Sequence, residues 1–397
     1  MRQYNTHRPN KRQREAGFVF EVNSLYDHLS QLHDRRKARG KVYPLAKALL
    51  LVILAKLGGQ DSLRGMTEWL AERRTELADL LQLAKPRTPS RATITRLLGF
   101  IVSVKKLEQA FGEFAQSLPQ AGLRIVMAID GKTLRGTISL DNPRGVQLLA
   151  AYLPRQGFVL FQLEIGRRHN EIPVAATLLK CLDLRGKIVT ADALLTQRRL
   201  CLQIVQAQGE YVLKVKANQP QLYDDIQRLF TDPPPKPDFQ EAKREGKANG
   251  RLEVRTLTVS SLLQGYSDWP HLAQVFKLVR RAVVLKTGEV SEVITYGVTS
   301  LTQEEVTPKE LLAIVRDHWG IENGLHYRRD VSLLEDRSRL RAGHAPQAVA
   351  AINNLVLTLI AKAGFRNACR ARRHFDVHRA PIKPEKFLLV DGGRQPI

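Results

Sequence analysis

Two short apolar runs in this chain each end on an aspartate, and that pairing restricts the fold more than any other feature. Ile125-Val126-Met127-Ala128-Ile129 leads into Asp130, and Ile188-Val189-Thr190-Ala191 leads into Asp192. Runs this short and this continuously apolar read as strands of a sheet covered on both faces. Around them the pattern predicts strands at Arg124–Asp130, Val146–Leu153 and Phe158–Gly166, then a helix at Ile172–Leu182. Strand Lys187–Thr190, helix Thr196–Gln208 and strand Tyr211–Val215 continue the alternation, which is that of a mixed α/β sheet. Both aspartates then stand at carboxyl ends of strands, where open α/β sheets hold their ligands. Taken singly, Asp130-Gly131 also reads as a turn dipeptide and Asp192 as a helix N-cap.

A third acid belongs with them. Glu322 lies in Asp317-His318-Trp319-Gly320-Ile321-Glu322-Asn323-Gly324-Leu325-His326-Tyr327, which reads as helical. Helical spacing puts Val315, Trp319, Glu322 and His326 on one stripe facing inward. A carboxylate on such a stripe is expensive unless it is paired or bound to a metal. Asp, Asp and Glu on strand, strand and helix is the arrangement that two divalent ions about 4 Å apart need for phosphodiester hydrolysis. Glu335 and Asp336 are the competing acids for the third place.

The rest of the chain reads as two flanking parts and an insertion. From Asn23 to about Leu107 the pattern is helical, with segments at Leu25–Arg36, Leu45–Leu57, Leu63–Arg73 and Glu76–Leu83. A last helix opens on Ser90 and turns Arg91, Thr95 and Arg96 outward, with Ile94, Leu97 and Leu98 inward. That outline is similar to a helix-turn-helix recognition helix, and equally to an ordinary basic helix on a small bundle. Between the sheet and Glu322, Asp232–Asp238 reads as a Pro-rich linker. The charged stretch Glu241–Arg251 follows, and strands at Leu252–Ser260, Val275–Val284 and Val290–Val298 look inserted. An amphipathic helix at Pro346–Ala363 packs through Ala348, Val349, Ile352, Leu355, Val356, Leu359 and Ile360, and Arg366–Ile397 reads as basic and irregular.

Charge narrows the partner. Of 397 residues, 62 are Lys or Arg against 39 acids, a net charge of +23, which predicts a polyanionic partner, nucleic acid before a membrane surface. Cys181, Cys201 and Cys369 are too scattered for a zinc site or a disulfide framework, which suggests a reducing interior. Met1–Glu15 has no apolar centre and is expected to be no secretory signal. Ala48–Ala55 is too short to span a bilayer.

At these residues the sequence resembles the DDE transposases of bacterial insertion sequences, in the subgroup that includes the H-repeat-associated proteins. The resemblance is carried by Ala128–Gly136, Asn170-Glu171-Ile172-Pro173, Thr190–Ala193, Tyr211–Gln219, Gly250–Glu253 and His318–Asn323. In the N-terminal part, Arg39-Gly40, Tyr43-Pro44-Leu45 and Pro89–Ile94 resemble the helical domain of that subgroup. It implies a ribonuclease H-like mixed sheet with an inserted β subdomain, preceded by an all-α helical N-terminal domain. The boundaries expected are a basic arm at 1–22, a helical DNA-binding domain at 23–118, a catalytic domain at 119–365 with its β insertion at 232–305, and a basic tail at 366–397. The spacing of 62 residues between the aspartates and 130 from Asp192 to Glu322 leaves room for that insertion.

The implied activity is Mg²⁺-dependent cleavage of DNA at element ends and strand transfer into target DNA. Asp130, Asp192 and Glu322 would be both catalytic groups and ligands of two ions, with Mn²⁺ as a substitute. Arg91, Arg96, Lys132, Arg135, Lys214, Lys216 and Arg329 are the candidate DNA contacts. A cytoplasmic, nucleoid-associated protein with no membrane role is expected, and a homodimer in the DNA complex, since two ends must be brought together. The helical part is expected to bind element ends by itself. The wider group often carries Tyr and Arg seven and four positions before the glutamate and Lys seven after; here these are Val315, His318 and Arg329. Two other readings stay open: a metal nuclease that cuts without joining, and an inactive DNA-binding protein or regulator derived from a transposase.

Overall fold

The computed structural model describes residues 24–37, 41–118, 124–166, 170–248 and 250–377. The expected basic arm, Arg39-Gly40 and the tail beyond 377 lie outside them. A single nine-stranded mixed sheet runs through the molecule in the order β3-β2-β1-β4-β5-β9-β8-β7-β6. Its first half is β1 (Ile125–Leu134), β2 (Val146–Leu153), β3 (Phe158–Ile165), β4 (Lys187–Ala191) and β5 (Glu210–Val215). β1, β2 and β3 pair antiparallel, while β4 and β5 run parallel to β1. All five residues of β4 are buried, as a central strand covered on both faces requires.

The second half is β6 (Gln240–Ala248), β7 (Arg251–Ser260), β8 (Gln274–Val284) and β9 (Val290–Thr299). This antiparallel meander joins the first half where β9 pairs with β5. Its outermost strand, β6, arises from the charged stretch at Glu241–Arg251, where no strand is expected. Lys243, Arg244, Glu245 and Lys247 are exposed along it, so an edge strand forms with little of the apolar alternation that announces one.

Pleating sends neighbouring residues of β1 to opposite layers. Val126, with Ile188 and Val212, packs under α10 (Pro308–Asp317) through Leu311, Leu312, Ile314 and Val315. Ile125, Met127 and Ile129 face the larger layer. That layer holds α7 (Glu171–Lys180), α8 (Arg198–Gln206) and α11 (Ala345–Lys362) together with the helices that precede the sheet. Those helices are α1 at 24–30, α2 (Leu45–Leu57), α3 (Leu63–Glu72), α4 (Arg74–Leu80), α5 (Arg91–Arg96) and α6 (Val104–Ser117).

α11 is buried on every side, and its seven expected packing residues are all inside. It packs against α2 and α6 as well as β3, so Leu49, Leu50, Ile53, Phe111 and Phe114 share one apolar cluster with Ile352, Leu355 and Val356. Two helices occur outside the expected elements: α9 (Pro220–Thr231) and α12 (Ala368–Val377). α12 corrects the expectation of an irregular tail from Arg366. Its Arg372 donates to the Lys56 carbonyl and to Asp61, and its Asp376 accepts from Trp69 and Arg73.

Candidate active site

β1 and β4 run in register as far as Ile129 and Ala191, and the next residue on each strand is the aspartate. β1 goes on, paired with β2, to Leu134, whereas β4 ends. An open notch therefore begins at Asp130 and Asp192. Asp130-Gly131 lies inside the strand and not in a turn. Asp192 stands at the N-cap of the short turn Ala193–Leu195, but its side chain makes no cap bond. It accepts instead from Lys214 Nζ at 2.9 Å, with His318 Nε2 at 3.5 Å, and His318 Nδ1 is 3.2 Å from the Thr190 hydroxyl. His318 and then Lys214 hold the Asp192 carboxyl well below the usual carboxylate range.

Glu322 arrives from the α10 side. Thr307 and Glu310 form a capping box at the start of α10, and beyond His318 the chain continues as π-helical turns at Glu322–His326 and Arg328–Ser332. Gly320 and Gly324 let this segment lie against the end of β2. A methyl on Gly320 would stand 2.6 Å from Pro154 Cβ, and one on Gly324 would stand 2.5 Å from the Tyr152 hydroxyl. Between α10 and the π turn the chain tightens at His318–Trp319, where the Trp319 amide donates to the Arg316 carbonyl and the Ile321 amide to the His318 carbonyl. This break, together with the wider turn after it, changes which residues face inward. Val315 and His326 are buried as the helical count expects, while Trp319 is 55% exposed and Glu322 reaches solvent.

The result is a convergence on Asp130. Donor atoms of Asp130, Glu322 and His326 all lie within 4.8 Å of one another. His326 Nε2 is 3.3 Å from Asp130 Oδ2, and neither ring nitrogen has a hydrogen-bond partner although the residue is only 5% exposed. Partial desolvation pushes the Glu322 carboxyl up, His326 opposes it, and the neighbouring Asp130 and Asp192 add to the rise. Glu335 and Asp336 take other places. Glu335 is buried on Arg329 and Asn353, and Asp336 lies near Lys132 and Arg135.

A carboxylate and imidazole set with an orphaned buried ring nitrogen suits a hard or borderline divalent ion. Sequence reasoning passed over two of the groups here. His326, four residues after Glu322, entered only as its neighbour on the stripe. Glu171 entered only within Asn170–Pro173, yet it stands at the first position of α7 with its carboxyl pushed up by burial and by Asp130 and Asp192.

The expected DNA contacts divide. Arg91 and Arg96 are exposed on α5, over the buried Ile94, Leu97 and Leu98, and Ser90 caps that helix on Thr93 N. Arg135 and Lys216 are exposed as well. Lys132 is engaged, with Nζ 2.6 and 2.7 Å from the Asp330 oxygens, and Lys214 is held by Asp192 and lies over the Trp319 ring. Arg329 corrects the expectation of a phosphate contact. It is fully buried and bonded to Glu335, Gln162 and Asn354, so reaching DNA would strand a buried carboxylate. In return, Arg337 and Arg339 meet Arg91 and Arg64 around a groove of ≈ 430 Å³ between α3, the start of α5 and the segment after Leu334.

Compared with known sequence families, residues 121–359 match the transposase DDE domain, and residues 26–115 match the region described as DDE_Tnp_1-associated. The chain belongs to the DDE transposase family. Among its relatives in Escherichia coli K12, the putative protein YbfL is 28% identical over 368 residues, 88% of this chain and 95% of the relative. The H repeat-associated putative transposase YhhI is 27% identical over the same shares. A cryo-EM structure of the piggyBac transposase synaptic complex with hairpin DNA aligns with 97% of this chain and 84% of that chain, at 12% identity and a TM-score of 0.44. That likeness is too loose to bear on the fold. Family membership covers the whole sheet and α10, and so takes in Asp130, Asp192 and Glu322 alike.

Proposed function

We propose that this chain cuts DNA at the ends of its element and joins the freed 3′-hydroxyl to target DNA, with Asp130, Asp192 and Glu322 as catalytic groups and metal ligands. The observation that carries this reading is the approach of Glu322 and His326 to Asp130 at a notch whose other side begins at Asp192. The strand order β3-β2-β1-β4-β5, with its antiparallel and parallel halves, supports a ribonuclease H-like catalytic domain. β6–β9 would be its insertion and the helices before β1 its DNA-binding domain.

Two divalent ions held by these carboxylates, Mg²⁺ or Mn²⁺, would supply an activated water or 3′-hydroxyl and stabilise the leaving oxygen. The protein's own part is placement. His318, steadied by Thr190, and Lys214 keep Asp192 ionised and aimed, and His326 backs Asp130. Arg91, Arg96, Arg135 and Lys216 would neutralise phosphates along the flanking surface. Juxtaposing two ends calls for a homodimer in the DNA complex. The site of action would be the cytoplasm and its DNA; no helix among the described residues is long and apolar enough to cross a membrane.

The test is cleavage and strand transfer on a duplex carrying the element end, with Mg²⁺ or Mn²⁺. Asp130→Ala, Asp192→Ala and Glu322→Ala should each abolish both steps while DNA binding survives. A variant of the three that cuts at the wild-type rate removes that residue from the site. Cleavage without joining would favour the nuclease reading, and binding without either step the regulator.

A further inference from the structure

The notch has a fourth acid. Glu171 opens α7, behind Asn170, whose side chain accepts from the Ile172 amide at 3.2 Å and so fixes the start of the helix. α7 packs on β2, β3 and the turn after Asp192. Gly131, the residue after Asp130, has no side chain, and a Cβ there would stand 2.4 Å from Glu171 Oε1. The Glu171 carboxylate thus lies over the backbone of the strand at the point where the notch opens, on the layer opposite α10. Both aspartates are close enough for their charges to raise its pKa. No cation among the described residues offsets that rise.

Like charges gathered this way disfavour ionisation unless a cation joins them. The independent sign of that cation is His326, buried, aimed at Asp130 and with neither ring nitrogen bonded. We propose that Glu171 is a ligand of a divalent cation in this site, a fourth carboxylate that enters from the α7 side while Glu322 and His326 enter from the other. The assignment rests on the metal-site reading above and adds to it a ligand set drawn from both layers of the sheet. Hard divalent ions take six or more oxygen ligands, so a further carboxylate fits within their coordination.

The experiment titrates the full-length protein, without DNA, with Mn²⁺ alone, and follows free Mn²⁺ by electron paramagnetic resonance. Wild type should take up Mn²⁺, Asp130→Asn should lose it, and Glu171→Gln should weaken it about tenfold. In EDTA, Glu171→Gln should melt no lower than wild type, because it removes a repelled charge; the rise in melting temperature given by Mn²⁺ should shrink. Gly131→Ala, which puts a methyl where the carboxylate rests, should show the same loss and serves as the reading if Glu171→Gln folds poorly by circular dichroism. Glu171→Gln binding Mn²⁺ as wild type does, with Asp130→Asn deficient, overturns the assignment and leaves the metal site intact. Wild type and Asp130→Asn taking up Mn²⁺ equally would overturn the metal site itself.

Discussion

At the scale of single residues, the interior behind the site is held by charges and not only by apolar packing. Arg329 binds Glu335, Gln162 and Asn354, and Gln162 donates in turn to Glu108 of α6. In Glu335 the cost of burial is outweighed by Arg329 and Asn353, so its carboxyl stays below the ordinary range. In Glu108 burial prevails over Gln162 and Arg329, and pushes the carboxyl up to about 8. A folded-state value raised above the ordinary 4.5 means that the folded protein holds a proton the unfolded chain has released. This contribution to stability is complete below about pH 4.5 and is lost as pH rises to about 8. Denaturant unfolding of the metal-free protein should therefore show stability falling across that window, by on the order of a few kcal/mol. Glu108→Gln should remove that part of the slope. An unchanged profile in the variant would mean that Glu108 is ionised in the fold.

At the scale of elements, the Glu322 segment sits where two glycines allow it to sit. Gly324→Val would drive a branched side chain into Tyr152, and the π turn would have to lift from β2, taking Glu322 off Asp130. Displacement of about 1 Å can cost roughly a hundredfold in rate, so cleavage should fall by about that much with DNA affinity retained. Cleavage at the wild-type rate, measured beside binding anisotropy, would show that the glycines are incidental. This element also marks where the sequence stops being legible. The strands that bring Asp130 and Asp192 together could be read because their apolar runs are bounded and short. The inward set around Glu322 could not, because counting at 3.6 residues per turn assumes one α-helix, and the chain tightens at His318–Trp319 before it widens from Glu322 onward. β6 is charged along its length and α12 is rich in arginine, so neither offers the apolar periodicity that reading depends on. Pro220–Thr231 was open to reading, since Leu222, Ile226, Leu229 and Phe230 recur at helical spacing.

At the scale of the whole molecule, the net charge of +23 and the arginine groove predict DNA binding that weakens steeply with salt. The slope of log K against log salt should lose about one unit of magnitude for each phosphate contact removed, so Arg91→Ala/Arg96→Ala should flatten it by about two if both side chains touch the backbone. An unchanged slope would free α5 of that role. The helices before β1 share their core with α11, and so a fragment ending near residue 118 should show reduced helicity and no cooperative melting by circular dichroism. A cooperative transition in that fragment would make it a self-sufficient domain. The clasp of α12 on the first helices also has a bearing on synthesis. Arg372 meets Asp61 across 311 positions, which a ribosome covers in roughly 15 to 60 s at about 5–20 residues per second. For most of that interval α2 and α3 have been made while α11 and α12, which cover the rest of α2, have not, so the nascent chain carries a partly uncovered apolar helix, and a message broken before α11 yields a product without those two covers.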